Sequence, residues 1–93
     1  MYRAEIRSGV AEVIRALPPQ VKRAVKAAIR AIGEDPLAGE PLHGELEGRF
    51  KYRVRRYRVI YLVNRKSKVV DIIGVGHRRS VYEELAEQLR QEK

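Results

Sequence analysis

The sequence of 93 residues contains no cysteine. Disulfide bonds and thiolate chemistry are therefore excluded, because both require the cysteine sulfur. A zinc site would have to combine the chain's 2 histidines, His43 and His77, which lie far apart in the sequence, with carboxylates. We therefore expect neither a metal nor another cofactor.

The sequence also lacks a long apolar run. Residues 2–7 alternate charged and apolar side chains, unlike a signal peptide, and no stretch has the length that a membrane-spanning helix needs. We expect a cytoplasmic protein without a membrane partner. The length predicts one domain, residues 1–93.

Acidic residues are outnumbered, with 12 Asp+Glu against 20 Lys+Arg and a formal net charge of +8 at pH 7. Residues 49–58 contain 6 of these cations, which leaves 14 cations against 12 acids elsewhere. Such an excess favours a negatively charged partner, such as nucleic acid, an acidic protein or an anionic membrane, and nucleic acid is the commonest of these. The alternative is a basic surface that only keeps the protein soluble.

The N-terminal half predicts one strand and two helices. The period-two alternation of residues 2–6 predicts a short strand with one solvated face. Ser8 is predicted to cap a first helix, which the Pro18-Pro19 pair ends. Residues 20–32 have apolar side chains at helical spacing, and Gly33 is predicted to end this second helix at the C′ position. The two helices should form an antiparallel hairpin.

Four cations share the outer face of the second predicted helix, namely Lys22, Arg23, Lys26 and Arg30. A solvated helix face is the commoner meaning of such a pattern. A second nucleic-acid surface is the alternative.

The C-terminal half predicts an antiparallel meander. Residues 49–54 and 57–63 are strand-like, with Arg55-Arg56 as a two-residue connection, and residues 69–75 form an apolar, central strand. Residues 80–83, Ser-Val-Tyr-Glu, have the spacing of a capping box that opens a final helix. The sequence therefore predicts an α+β fold: an N-terminal strand, a helical hairpin packed on an antiparallel sheet, about four strands in all, and a short C-terminal helix.

The two-residue connection fixes the register of the first two meander strands. It pairs Arg53 with Arg58 and Lys51 with Ile60, so that Lys51, Arg53 and Arg58 share one face of the sheet. The opposite face, which we expect to pack against the helices, contains Phe50, Tyr52, Val54, Tyr57, Val59 and Tyr61.

Cations on one sheet face can surround a phosphodiester without a metal. Cleavage of RNA through its own 2′-OH needs a proton acceptor, cations that stabilise the charge on phosphorus, and a donor to the leaving 5′ oxygen. DNA would be bound but not cut, because it lacks the 2′-OH. Lys51 serves as the acceptor only in its neutral form, which neighbouring cations favour. Tyr82 either stacks on a base or fills the seam between the last helix and the sheet.

Several motifs together resemble the RelE/ParE toxin superfamily of type II toxin-antitoxin systems. They are Leu46 to Gly48, Lys51-x-Arg53, Tyr57-Arg58-Val59-Ile60-Tyr61, and Gly76-His77-Arg78-Arg79-x-x-Tyr82. The resemblance spans nearly the whole chain, and the order of elements matches the family's fold. The Lys-x-Arg pattern followed by an arginine on the next strand is similar to the RelE branch, whose members are ribosome-dependent messenger-RNA endoribonucleases.

The resemblance implies roles for individual residues. Lys51 and Arg53 would act in proton transfer and phosphate binding, and Arg58 would stabilise the transition state. Arg78 would contact the phosphate or the leaving group, and Tyr82 would stack on a base. The residues expected to bind RNA or the ribosome are Arg49, Arg55, Arg56, Arg79 and His77.

The resemblance also implies partners and two alternatives. The expected partners are a cognate antitoxin that covers the basic groove in a hetero-oligomer, the ribosome, and messenger RNA. One alternative is a ParE-like inhibitor of DNA gyrase, which has the same fold and does not need Lys51. The other is a basic nucleic-acid-binding module without catalysis, whose affinity would depend on salt.

Overall fold

Helices cover both faces of a sheet in this α+β structure, a computed structural model that describes residues 1–77 and 79–91. In chain order the elements are β1 Arg3–Ile6, α1 Ser8–Ala16, α2 Pro19–Glu34, β2 Glu40–Pro41, a 3-10 helix Gly44–Leu46, β3 Phe50–Val54, β4 Tyr57–Asn64, β5 Val69–His77 and α3 Ser80–Gln91. The predicted fold class is confirmed. None of the helices in the described ranges is long and apolar enough to cross a membrane.

The strands form one five-stranded sheet in the order β1-β5-β4-β3-β2. The predicted meander is present, because β3, β4 and β5 pair antiparallel in sequence. β1 joins the other side of β5 as a parallel strand. The prediction of about four strands missed β2, a two-residue edge strand whose Pro41 interrupts any alternating pattern.

The hairpin between β3 and β4 has the predicted register. Val54 pairs with Tyr57, Arg53 with Arg58, and Lys51 with Ile60. In the turn between β3 and β4, Arg55 has a φ of 56°, whereas the φ of Arg56 is not positive. A type I′ turn needs positive φ at both central residues, so this turn is of another type.

The two sheet faces have different partners. On the first, here called the helix face, buried residues of α1 and α2 pack against buried residues of β3, β4 and β5; this core consists of Val10, Ile14, Val25, Ala28, Ile29, Ile32, Val54, Val59, Tyr61, Val70, Ile72 and Val75. On the second, here called the cation face because it carries Lys51, Arg53 and Arg58, a smaller cluster joins α3 and the 3-10 helix to the sheet; it consists of Leu46, Ile60, Ile73, Val81 and Leu85.

Two predicted helix ends are wrong. Ser8 is the first residue of α1, and the N-cap is Arg7, which makes no side-chain capping bond. Gly33 lies inside α2 and is buried, while the C-cap is Asp35. A β-carbon on Gly33 would lie 3.0 Å from the Tyr2 carbonyl oxygen, and the Tyr2 N–H donates to the Gly33 carbonyl at 2.8 Å. Gly33 therefore permits a close approach of the chain before β1 and does not end the helix.

The predicted capping box of α3 is also not formed by the described hydrogen bonds. Ser80 is the first residue of α3, and its Oγ donates to the carbonyl of His77 at 3.3 Å. The Glu83 N–H donates to the carbonyl of Arg79 at 3.4 Å, not to Ser80.

Two glycines of β5 let α3 approach the sheet closely. A β-carbon on Gly76 would lie 3.2 Å from Cβ of Val81, and one on Gly74 would lie 3.2 Å from Cδ1 of Leu85. Both distances are shorter than ordinary van der Waals contact. Because Arg58 pairs with Gly76 across the β4–β5 ladder, this close approach also brings α3 beside Arg58.

We predict that Gly76→Ala lowers the free energy of unfolding by about 1–3 kcal/mol, because Cβ of Val81 is close to the backbone of α3 and cannot rotate away. Urea denaturation measures this change. Gly9→Ala is the control: Gly9 lies in α1 with nothing within 4 Å of an added β-carbon, so alanine should stabilise the protein by about 0.5–1 kcal/mol. Equal unfolding midpoints for the two variants would contradict close packing at Gly76.

Candidate functional site

Arg58 is the charged side chain that the cation face buries, with 9% of its surface exposed. Its Nη1 donates to the carbonyl oxygen of Tyr57 at 2.9 Å and to that of Arg55 at 3.2 Å. Among the described residues it has no carboxylate partner. A buried guanidinium held only by neutral carbonyls is a cation in a partly desolvated place, where an anion would bind strongly.

Lys51 and Arg53 stand next to Arg58 on the same face. Arg53 is the direct cross-strand neighbour of Arg58, and Lys51 lies two positions before it on β3, half-buried. Strand geometry separates Lys51 from Arg53 by about 6–7 Å along the strand. The three predicted cations are therefore on one face, as the sequence indicated.

Glu40 is a residue that the sequence analysis did not identify. It pairs with Lys51 across the β2–β3 ladder, so both side chains lie on the cation face. A cleft of about 390 Å³ is lined by Glu40, Lys51 and Arg53, with residues 38, 39 and 52. No ion pair between Glu40 and Lys51 is present in the part of the chain that the structure describes. A carboxylate able to accept a proton thus lies in the same cleft as two cations.

Tyr61 holds the segment that carries Glu40. Its side chain is fully buried on the helix face and stacks on Phe50, with ring centroids 5.5 Å apart. The hydroxyl donates to the Pro36 carbonyl at 2.8 Å and accepts from the Gly39 N–H at 3.0 Å. Gly39 has to be glycine, because a β-carbon there would collide with the Tyr61 hydroxyl and lie 2.5 Å from the Lys51 carbonyl oxygen.

Tyr82 is on the same side of the sheet as the three cations. It is half-buried and packs against the cluster that contains Ile60, the cross-strand neighbour of Lys51. This packing agrees with the seam-filling interpretation of Tyr82, although the residue is only half-buried. Tyr82 stays a predicted base-stacking residue.

The residues predicted to bind RNA or the ribosome are spread more widely. Arg55 and Arg56 are exposed at the hairpin turn, and Arg79 is exposed directly before α3. Arg49 lies near the other end of α3, in a cleft with Leu89 and Arg90, and donates to the Glu47 carbonyl at 3.1 Å.

His77 is not on the cation face. His77 ends β5 and is paired with Tyr57, so it lies on the helix-face side, where its ring meets that of Tyr57 edge-on at 5.7 Å. The structure therefore does not bring His77 together with Lys51 and Arg58. Arg78 lies outside the described residues.

The chain matches a known family. The family model of the ParE toxin of type II toxin-antitoxin systems, parDE, matches residues 4–82. The chain is also 37% identical over 68 residues to Toxin RelG of Mycobacterium tuberculosis, a match that covers 71% of this chain and 78% of that protein.

Solved structures have the same fold. The toxin-antitoxin complex RelBE2 from Mycobacterium tuberculosis contains a chain of 30% identity and TM-score 0.76, which covers 83% of this chain and 98% of its own length. A free mutant of the E. coli toxin RelE, with two arginines replaced by alanine, has 25% identity and a TM-score of 0.77 over 94% of this chain and 96% of its own. The chain belongs to the RelE/ParE superfamily and is a toxin of a type II toxin-antitoxin system.

We predict that Tyr61→Phe lowers the free energy of unfolding by about 1–3 kcal/mol, because the Pro36 carbonyl and the Gly39 N–H both lose their partner. Urea denaturation at neutral pH measures this loss. Tyr2→Phe is the matched control, since Tyr2 is half-buried and its hydroxyl makes no described hydrogen bond. A loss no larger than that of Tyr2→Phe would contradict the anchoring role of Tyr61.

The same residue predicts a pH dependence. Burial raises the pKa of the Tyr61 hydroxyl above its ordinary value of 10.0, a direction that the Gly39 hydrogen bond only partly opposes. The folded chain therefore keeps this proton at a pH where the unfolded chain has released it, so the stabilisation is full below pH 10 and is lost as the pH rises through the raised value. Stability should fall more steeply above pH 10 in the wild type than in Tyr61→Phe. Parallel curves would show that Tyr61 is not the group responsible.

Proposed function

We propose that this toxin is a ribosome-dependent endoribonuclease that cleaves messenger RNA and so inhibits translation. The observation that carries the proposal is Arg58, a buried guanidinium that the described residues leave without a carboxylate. Structural arginines at this depth are normally paired with an acid. Arg58 lies beside Arg53, which lines an open cleft together with Lys51, and this arrangement suits a phosphate group of the substrate.

Glu40, Lys51 and Arg53 of the cleft, together with Arg58 beside Arg53, supply the parts that cleavage through the 2′-OH needs. The Glu40 carboxylate accepts the proton of the 2′-OH as its oxygen attacks phosphorus. Arg58 and Arg53 stabilise the charge that builds up on the phosphate oxygens. The Lys51 ammonium donates a proton to the 5′ oxygen as its bond to phosphorus breaks. The products are a 2′,3′-cyclic phosphate and a 5′-hydroxyl.

This assignment differs from the one made from the sequence. Lys51 was considered as a base that must first lose its proton. With Glu40 across the strand from Lys51, the carboxylate takes the role of the base and Lys51 takes that of the acid. Tyr82, on the same side of the sheet, stacks on a base next to the scissile phosphate.

We further propose that a cognate antitoxin binds the toxin and covers the cation face in a hetero-oligomer. RelBE2 is described as a toxin-antitoxin complex, which supports this partner. The ribosome and messenger RNA are the proposed target, with the exposed Arg55 and Arg56 in contact with ribosomal RNA. The hairpin tip suits this role because both residues are exposed in the turn between two strands.

Inhibition of DNA gyrase is the second candidate function, and the match to the ParE toxin family model favours it. It would not require Lys51 or Glu40. A nucleic-acid-binding module without catalysis is a third interpretation, and it predicts salt-dependent binding without turnover.

The test is primer extension on messenger RNA in a translating extract. Wild type should produce cuts in phase with codons, and the fragments should end in a cyclic phosphate. We expect Arg58→Ala to lose about 10²–10³-fold in cleavage rate, as for removal of a group that stabilises transition-state charge. Glu40→Gln and Lys51→Ala should each lose about 10²–10⁴-fold, as for removal of an acid or base.

Matched controls separate the site from general charge. Arg65→Ala removes an exposed cation at the far end of β4, and Glu34→Gln removes an exposed carboxylate at the end of α2. Both should cleave like the wild type. Thermal unfolding of each variant excludes misfolding, and Arg58→Lys retains the charge if Arg58→Ala is unstable. Absence of cuts at every concentration, together with trapped gyrase-DNA complexes, would replace the proposal with the gyrase function.

A further inference from the structure

Helix α2 carries a second cationic surface, defined by Lys22, Arg23, Lys26 and Arg30 and called here the α2 stripe. Successive helix residues turn by about 100°, so these side chains lie within about 100° of the helix circumference. Arg23, Lys26 and Arg30 are exposed and Lys22 is half-buried. The acid of α2 is Glu34, at its last position.

The stripe is placed where it disfavours the helix. Lys22, Lys26 and Arg30 follow one another at i, i+4 spacing, an arrangement in which like charges repel. The first turn of α2 contains no acid, so Lys22 and Arg23 lie near the positive end of the helix dipole uncompensated. Within the described ranges no ion pair involves a residue of the stripe. The described ion pairs lie in β1, α1, the 3-10 helix, β5 and α3, and at Arg7 between β1 and α1. Ion pairs and the helix dipole therefore give no stabilising role to the stripe within the described ranges.

The stripe is also separate from the candidate site. α2 packs on the helix face, through Val25, Ile29 and Ile32, whereas Lys51, Arg53 and Arg58 occupy the other face of the sheet. One phosphate group cannot contact both surfaces. A ligand of the stripe must be a second segment of a large polyanion or a different molecule.

The residue types exposed on α2 indicate which class of ligand the stripe can bind. A protein interface places aromatic or large aliphatic anchors at its centre, and α2 has no exposed large hydrophobic residue among those described. Single-stranded nucleic acid is held by aromatic platforms, and α2 contains no aromatic residue. Phosphates of a double-stranded backbone need only cations in a rigid row.

We propose that the α2 stripe binds the phosphate backbone of double-stranded RNA, on the opposite side of the protein from the candidate site. The cations of the stripe contact phosphates that RNA and DNA share, so the choice of RNA rests on the proposed function, whereas the binding itself does not require cleavage. It would let the toxin contact two RNA segments at once, one through each face of the sheet.

The experiment measures binding of a blunt RNA duplex of about 16 base pairs, the span of a double-stranded-RNA-binding domain, as a function of salt. The test variant combines Lys22→Gln, Lys26→Gln and Arg30→Gln. The slope of log K against log salt changes by about 0.9 for each phosphate contact of a duplex. The variant should therefore have a slope smaller by about 2–3 and bind more weakly at every salt concentration.

A charge-matched control combines Arg65→Gln, Lys66→Gln and Lys68→Asn in the exposed turn between β4 and β5. Asparagine is chosen at Lys68 because the φ there is 56°. The control should keep the wild-type slope. An equal loss in both triple variants would show that net charge alone drives binding, and an unchanged slope in the α2 variant would overturn the proposal.

Two further measurements keep the result unambiguous. The α2 variant should unfold at a temperature equal to or higher than that of the wild type, because repulsion between the cations is removed. A lower midpoint would indicate a structural role and contradict the proposal.

Binding of polyglutamate of matched charge tests an acidic protein as the partner. If the α2 variant loses as much affinity for polyglutamate as for RNA, that partner is favoured instead. Messenger-RNA cleavage is assayed separately, so failure of duplex binding leaves the proposed function standing.

Discussion

The two hydrogen bonds of the Tyr61 hydroxyl are the constraint on which the rest of the site depends. The ring belongs to the core beneath α1 and α2, and the hydroxyl reaches the backbone of Pro36 and Gly39 at the edge of the sheet. These residues lead directly into β2, which places Glu40 across from Lys51. The position of a carboxylate on the cation face is thus fixed by a tyrosine on the helix face. Core packing and site geometry are coupled through one side chain.

The parts of the fold that the sequence predicted correctly are those with a period. The two-residue connection predicted the register of β3 and β4 residue by residue, and the alternation of both strands agrees with it, since a shift by one position would have moved every aromatic residue out of the core. The ends of the helices were predicted less well. Gly33 was interpreted as a helix end, but it is required by the contact with Tyr2, a residue distant in sequence. Local patterns cannot reveal a glycine that is needed by a tertiary contact.

The residues of the site that lie on periodic strands were also predictable from the sequence, and those that depend on tertiary contacts were not. Lys51, Arg53 and Arg58 were assigned to one face from the alternation of the two strands and their two-residue connection. The burial of Arg58 was not predictable, because it follows from α3 packing over Gly74 and Gly76. Glu40 was missed, since the loop before it has no period and only the pairing of β2 with β3 gives it a neighbour. Composition also misled: the nearly balanced charge outside residues 49–58 conceals a basic α2 and an α3 with Glu83, Glu84 and Glu87.

The parallel pairing of β1 with β5 has a consequence for synthesis. β1 is made long before its strand partner, which begins at Val69, so the strand remains without a neighbour in the sheet until β5 has been synthesised. Contacts that join such distant residues close a long loop and form late in folding. β5 also supplies the ladder for β4 and the two glycines under α3. The nascent chain therefore cannot assemble the face that holds Arg58 until β5 and α3 have been synthesised.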